Sequence, residues 1–499
     1  MNDVLNELIR FNSRFNSRGF LKELEKENTK TSVLLKEFMH DQDGFNNRSS
    51  KSFMMLRREL VLILSRMVPN AHVKKINKSG YYRNYFGAIR DLYASRVLLS
   101  IGLYNSGLWL LKRTVKSADN FEIWDVVLSG STILENYFAI RNDPKSYKYY
   151  KDLSDKAMDF IFRLQRLKRI FNKWVIEFVD KRQVKPSTYS QLVEDIKVSE
   201  ALLKDGDPWN FHHLVFRLKL ILYQAKAELE KVLNVCSMAK RKLKENSKMI
   251  DFNKYGGYVS TELYCYINLK RYQEAYDCAQ ELEEYEEEGT LNWFLYMEYY
   301  FILLIQTKKY DKAMELVNRV TSSNGFAQVK KNRAQKDIWT LFSAYIEFLL
   351  SSGIWLNPNQ DLNVNEFKVN KFTNDVADLS KDKTGLLVSI LILQVLFLLK
   401  LGRFEDIIEK KDALRRYVSR YLNTRENERS RLFLSLLLRM IECEFSYTRT
   451  NEKTQRLQAR LKDEEVIYKS NLGGNEIVDY EILWDWVLTT LKTKWPKAA

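Results

Sequence analysis

Few residues in this 499-residue chain are suited to acid–base, nucleophilic or metal chemistry. Histidine occurs at His40, His72, His212 and His213, and cysteine at Cys236, Cys265, Cys278 and Cys443. No two cysteines make a CxxC pair and no HExxH stretch occurs, so neither common zinc spacing is available. Adjacent side chains on a helix point about 100° apart, which turns His212 and His213 away from a common metal. There is no P-loop, no G-x-G-x-x-G and no G-x-S-x-G elbow. Gly256-Gly257 and Gly473-Gly474 read as helix ends rather than phosphate cradles. The expectation is a chain with no catalytic, cofactor or metal residues, and therefore not an enzyme.

Binding chemistry is better represented. One basic segment carries Lys74, Lys75, Lys78, Arg83 and Arg90 among Tyr81, Tyr82, Tyr85 and Phe86. Such cations neutralise phosphates, and such rings stack on bases. A second carries Arg163, Arg166, Arg169 and Lys173, which fall within one helical arc of about 120° and are expected to line one exposed stripe. A third holds Lys240, Arg241, Lys242, Lys244 and Lys248. Solvated helix faces produce the same pattern. The candidate residues for an anionic partner are Lys74, Lys75, Lys78, Arg83, Arg163, Arg166, Arg169 and Lys173. The acidic run at residues 281–288 is the opposite pole. It sits where a helix ends, and negative charge there opposes the helix dipole. It reads as a solubilised turn, with repulsion of anions or a basic partner as alternatives.

Charge is unevenly divided. Residues 1–250 hold 45 Lys and Arg against 28 Asp and Glu, whereas residues 251–499 hold 35 against 36. The whole net charge of +16 is thus supplied by the first half, which favours an acidic partner on that side. The opening MNDVLNELIRFNSRF lacks an apolar signal core. Together with cysteines read as reduced core thiols, this predicts a cytoplasmic setting. The uncharged run at residues 384–399 is shorter than a membrane span and reads as a buried helix, so no membrane partner is expected.

The elements that position these residues are helical. Six prolines and 17 glycines give too little punctuation for a strand-rich fold, and apolar residues recur at spacings of three and four. A short motif recurs after apolar helices: Gly102-Leu103-Tyr104, Lys270-Arg271-Tyr272, Lys308-Lys309-Tyr310 and Gly402-Arg403-Phe404. Three residues past the aromatic stands Gly107, Ala275, Ala313 or Ile407. The turn residue ends one helix, the aromatic packs back across the hairpin, and a small residue lets the helices approach. This order is the middle of a tetratricopeptide unit, and Tyr272 to Tyr310 is near its period. The pattern predicts an all-α, tetratricopeptide-like α-solenoid of stacked antiparallel helix hairpins. Tyr272, Tyr310 and Phe404 should be mostly buried, and Ala275 and Ala313 should lie at intra-hairpin contacts.

Breaks at residues 44–50, 69–80, 142–144, 184–187, 207–208, 356–370 and 472–475 suggest the organisation. Residues 1–68 form an N-terminal helical region and 69–250 a basic hairpin region. Residues 251–355 hold tetratricopeptide-like hairpins, 356–370 a loop, and 371–499 helical repeats with a cap containing Trp484, Trp486 and Trp495. At 207–208, Asp207 is placed as the N-cap and Pro208 as the first helical residue.

The stretch NKFTNDVADLSKDKTGLLVSILILQVLFLLKLGRFEDIIEKKDALRRYVSRYL at residues 370–422, with NEIVDYEILWDWVLTTL near the end, resembles a group of tetratricopeptide-like proteins of Bacteroidota. The resemblance implies a solenoid fold and a bacterial cytoplasmic setting. It implies no activity and no site residues. The sequence reading is a scaffold for a protein or peptide partner, with a nucleic-acid-associated or regulatory module as the alternative.

Overall fold

The structure, a computed structural model, describes residues 80–181, 186–245, 252–323, 325–329, 333–355, 369–374, 386–423, 427–464 and 476–494, with a few isolated positions before residue 62. Among them every regular element is helical. Lys74, Lys75, Lys78, Lys248, His40, His72, Trp495 and the breaks at 44–50 and 472–475 lie outside the described residues, as do nearly all of 1–79 and positions 356–368.

The chain divides into two compact units, Met1–Arg166 with Lys244–Asp251, and Leu167–Leu243 with Phe252–Ala499. The division falls inside the basic region read from the sequence. In the first unit, α1 (Gly80–Ser100), α2 (Tyr104–Asn120) and α3 (Trp124–Ile140) pack in succession, and α1 also meets α3. Their core gathers Leu111, Val115, Val127 and Leu134, with Ala157 from the start of α4 (Pro144–Lys181).

The second unit is larger. It continues α4 and adds α5 (Tyr189–Ala201), α6 (Trp209–Ala225), α7 (Leu229–Glu245), α8 (Phe252–Asn268) and α9 (Tyr272–Tyr285). Next come α10 (Leu291–Gln306), α11 (Tyr310–Ser322), α12 (Phe326–Val329), α13 (Arg333–Ser351) and α14 (Val369–Asn374). The series ends with α15 (Leu386–Leu401), α16 (Phe404–Tyr421), α17 (Glu428–Glu442), α18 (Tyr447–Asp463) and α19 (Tyr480–Lys494). One continuous core runs from Trp209 to Leu491. The apolar run seen in the sequence becomes α15, buried on nearly all sides. No helix among the described residues is long and apolar enough to cross a membrane.

One turn builds most hairpins. A residue in the left-handed region follows the helix: Gly102, Glu122, Asn142, Ala227, Lys270, Lys308, Gly402 or Glu444. Its N–H bonds the carbonyl three residues back, and the next N–H bonds the one five back, as in Lys308 to Ile305 at 3.0 Å and Lys309 to Leu304 at 2.8 Å. This pair of bonds satisfies carbonyls that a helix end would otherwise leave orphaned. The residue after it adopts nearly the same angles in several of these turns, φ −83° and ψ 64° at Leu103, φ −88° and ψ 61° at Lys309, φ −86° and ψ 67° at Arg403, whereas Phe445, after Glu444, is itself left-handed at φ 59°. All four turns read from the sequence are in this set.

The packing expectation is met in most positions. Ala275 and Ala313 are fully buried and Tyr310 nearly so, while Tyr272 and Phe404 are half-buried. The close approach is plain at Gly107, where a Cβ would stand 2.8 Å from Leu99 Cγ on the preceding helix. Tyr104 departs from the pattern and is exposed. The start of α6 also differs from expectation. Pro208 is the N-cap, at φ −56° and ψ 151°, and makes no side-chain cap bond. The Asp207 carboxylate instead accepts from the Lys204 N–H at 2.8 Å, closing the turn before the helix.

Candidate interaction surface

The second unit sets its leading helices side by side, and aromatic rings mark the seams. Ring centroids lie 6.2 Å apart for Trp209 and Tyr258 (α6 and α8) and 5.7 Å for Tyr264 and Tyr299 (α8 and α10). They lie 4.1 Å apart for Phe301 and Phe342 (α10 and α13) and 5.5 Å for Phe348 and Phe397 (α13 and α15). Each leading helix keeps one partly accessible stripe at spacings of three and four. On α6 it is Asn210, His213 and Arg217; on α8, Lys254, Gly257 and Thr261; on α10, Asn292, Leu295 and Tyr299; on α13, Lys336, Thr340, Ser343 and Glu347. The stripes of α6 and α8 are joined where Lys254 Nζ donates to Asn210 Oδ1 at 2.9 Å. Burial raises the Glu347 pKa.

On α15 and α16 a groove of about 510 Å³ is lined by Leu387, Leu391, Val395 and Leu398 and rimmed by Arg403, Asp406, Lys410 and Tyr417. Gln394, fully buried, lies along it and donates from Nε2 to the Phe372 carbonyl at 2.8 Å.

The two adjacent histidines separate as helix geometry requires. His213 Nδ1 bonds the Tyr258 hydroxyl at 2.8 Å, whereas the His212 ring lies beside Phe216. Burial, helped by the charges of Lys254 and Arg217, pushes the His213 pKa down to about 3, so its ring is neutral near pH 7. Burial also lowers His212, with Lys242 adding to it. The thiols of Cys236, Cys265 and Cys278 are buried and pushed up by that burial, Cys278 to about 12, with the Glu262 carboxylate adding to each shift. They are therefore poor nucleophiles. Burial works to lower the Lys240 pKa, but Glu262, 2.5 Å away, outweighs it and holds the ammonium above its usual range. Among the described residues, no three His, Cys, Asp or Glu are grouped to hold a metal.

The predicted cations are placed unevenly. Arg83, Arg166 and Arg169 are exposed. Arg163 is buried, its Nε bonded to Asp159 Oδ2 at 2.9 Å, and Lys173 reaches Asp195 Oδ2 at 2.8 Å. The expected arc of four exposed cations is corrected at Arg163, which is buried against Asp159, while Lys173 is exposed but paired with Asp195. In the third basic segment Lys240 pairs with Glu262, while Arg241, Lys242 and Lys244 are exposed.

The acidic run has structural work that its sequence did not reveal. Arg319 on α11 reaches Glu288 at 2.8 Å and Glu283 at 3.5 Å, and the Tyr255 hydroxyl on α8 donates to Glu281 at 2.6 Å. The run ties α9 to the helices on either side of it. The leading-helix stripes were also missed. Alternation of polar and apolar positions on α8 and α13 carries a signal for them, but α15 is apolar all round and hides its own.

Comparison with protein-family models, with curated proteins and with solved structures gives no match for this chain.

Proposed function

We propose that the chain is a non-enzymatic, tetratricopeptide-like α-solenoid that binds a protein or peptide partner on the leading-helix stripes of its second unit. The supporting observation is the recurrence of one hairpin turn, with leading helices set side by side and each keeping a partly accessible stripe. Stacked hairpins of this kind offer an extended surface rather than a closed pocket. Leu295 and Leu391 are apolar side chains on those stripes, suited to anchor a bound segment. Neutral, buried thiols fit a reducing, cytoplasmic setting. The test is capture from native lysate by the full chain, followed by titration of the purified partner. Leu295→Asp and Leu391→Asp should weaken binding at least tenfold, about 1.4 kcal/mol. Equal binding by both variants would overturn the choice of face.

A second reading is favoured by the charge of the first half, where Arg83, Arg166 and Arg169 are exposed. On this reading the chain contacts nucleic acid. A gel shift with mixed DNA and RNA should then weaken steeply with salt. Binding that is insensitive to salt, or no shift at all, would exclude it.

A further inference from the structure

The helix α1 is apolar on two sides. Ala88, Leu92 and Leu99 turn into the core of the first unit. Well round the helix from them, Phe86, Ile89, Tyr93 and Val97 follow one another at spacings of three and four and share an arc of about 80°. All four are exposed, Tyr93 by 70%, and Ile101, just past the helix end, continues the row at 64%. The outer face of a surface helix is ordinarily polar, and a continuous apolar row there marks a surface that another molecule covers. Cations flank the row. Arg83 and Arg90 stand on one edge and Arg96 on the other, all exposed. Arg96 also donates to the Ser129 hydroxyl on α3, which leaves its charge unbalanced. Asp91, the one acidic residue of α1, lies 3.5 Å from Arg90.

These two features choose the occupant. An apolar row at spacings of three and four is a seam against which one face of another helix packs. The charges beside such a seam select the partner. A second copy of α1 would set arginine against arginine, which is unfavourable. Nucleic acid would use the arginines and leave Ile89, Val97 and Ile101 in water. A helix with its own apolar seam and with Asp or Glu on either side of it covers the row and balances the cations together. From Phe86 to Ile101 the row is about 22 Å long, or about four turns of such a helix.

We propose that the outer face of α1, the row of Phe86, Ile89, Tyr93 and Val97 between Arg83, Arg90 and Arg96, docks an acidic amphipathic helix of a partner protein. This surface belongs to the first unit and uses none of the leading-helix stripes of the second. It gives the positive charge of the first half a protein partner of defined chemistry.

The test titrates the full chain with a synthetic helical peptide that carries leucine along one seam and glutamate on both flanks, read by fluorescence anisotropy. A scrambled peptide of the same composition and a lysine-flanked version are the controls. The glutamate-flanked peptide is expected to bind in the micromolar range, and the scrambled one at least tenfold more weakly, about the effect of losing one good anchor. Tyr93→Asp should weaken binding at least tenfold with the melting temperature unchanged, since the side chain is mostly in water. Arg83→Glu combined with Arg90→Glu should weaken the glutamate-flanked peptide and favour the lysine-flanked one. Should Tyr93→Asp lower the melting temperature, this charge exchange, which touches exposed residues alone, decides the matter. Equal binding of the scrambled peptide, or a charge exchange that leaves the preference unchanged, would overturn the proposal. So would no peptide binding beside a dimer that Tyr93→Asp dissociates, which assigns the face to a second copy. Binding of phosphatidylserine vesicles or RNA in place of the peptide, lost in Tyr93→Asp, assigns it to a lipid surface or nucleic acid and equally removes the acidic helix. None of these outcomes alters the capture test on Leu295 and Leu391, which lie in the second unit.

Discussion

Two hairpins of the second unit turn the same corner with different residues. Between α10 and α11 the left-handed position is Lys308, at φ 57°, and the tightly packed position five residues on is Ala313. Between α15 and α16 the corresponding residues are Gly402, at φ 70°, and Ile407. Backbone bonds and dihedral angles nearly coincide. Glycine adopts the left-handed region without steric cost, whereas lysine is held there by the helices on either side. At the packed position one hairpin closes around a methyl group and the other around a branched side chain, both fully buried. The turn is thus a property of the helix pair, and no single residue type dictates it.

The comparison can be broken most severely at the packed position. Ile407→Ala should cost about 2–5 kcal/mol, because the lost methyl groups leave a cavity that rigid helices fill poorly. Chemical denaturation of the full chain reads this as a lower midpoint, and an unchanged midpoint would mean that the hairpin closes up like its counterpart. Ala313→Leu tests the opposite limit and should cost about 1–3 kcal/mol by overpacking. Tolerance of leucine there would remove the distinction between the two corners. At the turn itself, a Cβ on Gly402 meets only Phe404 Cε2, at 3.8 Å, so Gly402→Ala isolates conformational strain. It should cost about 1–2 kcal/mol. The reverse change, Lys308→Gly, relieves strain but frees the unfolded chain, and a net gain of about 0.5–1 kcal/mol is expected from the melting curve. Loss of stability in Lys308→Gly would show that the lysine contributes more than its backbone, as neighbouring Lys309 does with its ammonium 3.9 Å from the Tyr276 ring centroid.

The helical class and four of the corners were legible because glycine or lysine preceded an aromatic. Corners at Glu122, Ala227 and Glu444 were not, since neither glutamate nor alanine signals a left-handed residue and the bonds that hold it there come from the backbone. Trp124, two residues after Glu122, carried the same aromatic signal and could have revealed one of them. Burial of Ala275 and Ala313 followed from the hairpin logic. The fate of the charges did not. Arg163, Lys173 and the acidic run find partners up to 36 residues away or on other helices, and a one-dimensional charge pattern cannot distinguish a free cation from a paired one.

The spacing of the corners limits how the chain can change in length. Gly102, Glu122 and Asn142 stand 20 residues apart, each pair separated by a 17-residue helix and a three-residue turn. One residue inserted within α2 or α3 rotates everything beyond it by about 100° and carries Trp124 or Phe138 out of the core. A block of two helices with their two turns restores both direction and facing. Descendants of this sequence should therefore differ by whole paired blocks of about 40 residues or by changes between corners, with single-residue insertions inside these helices purged.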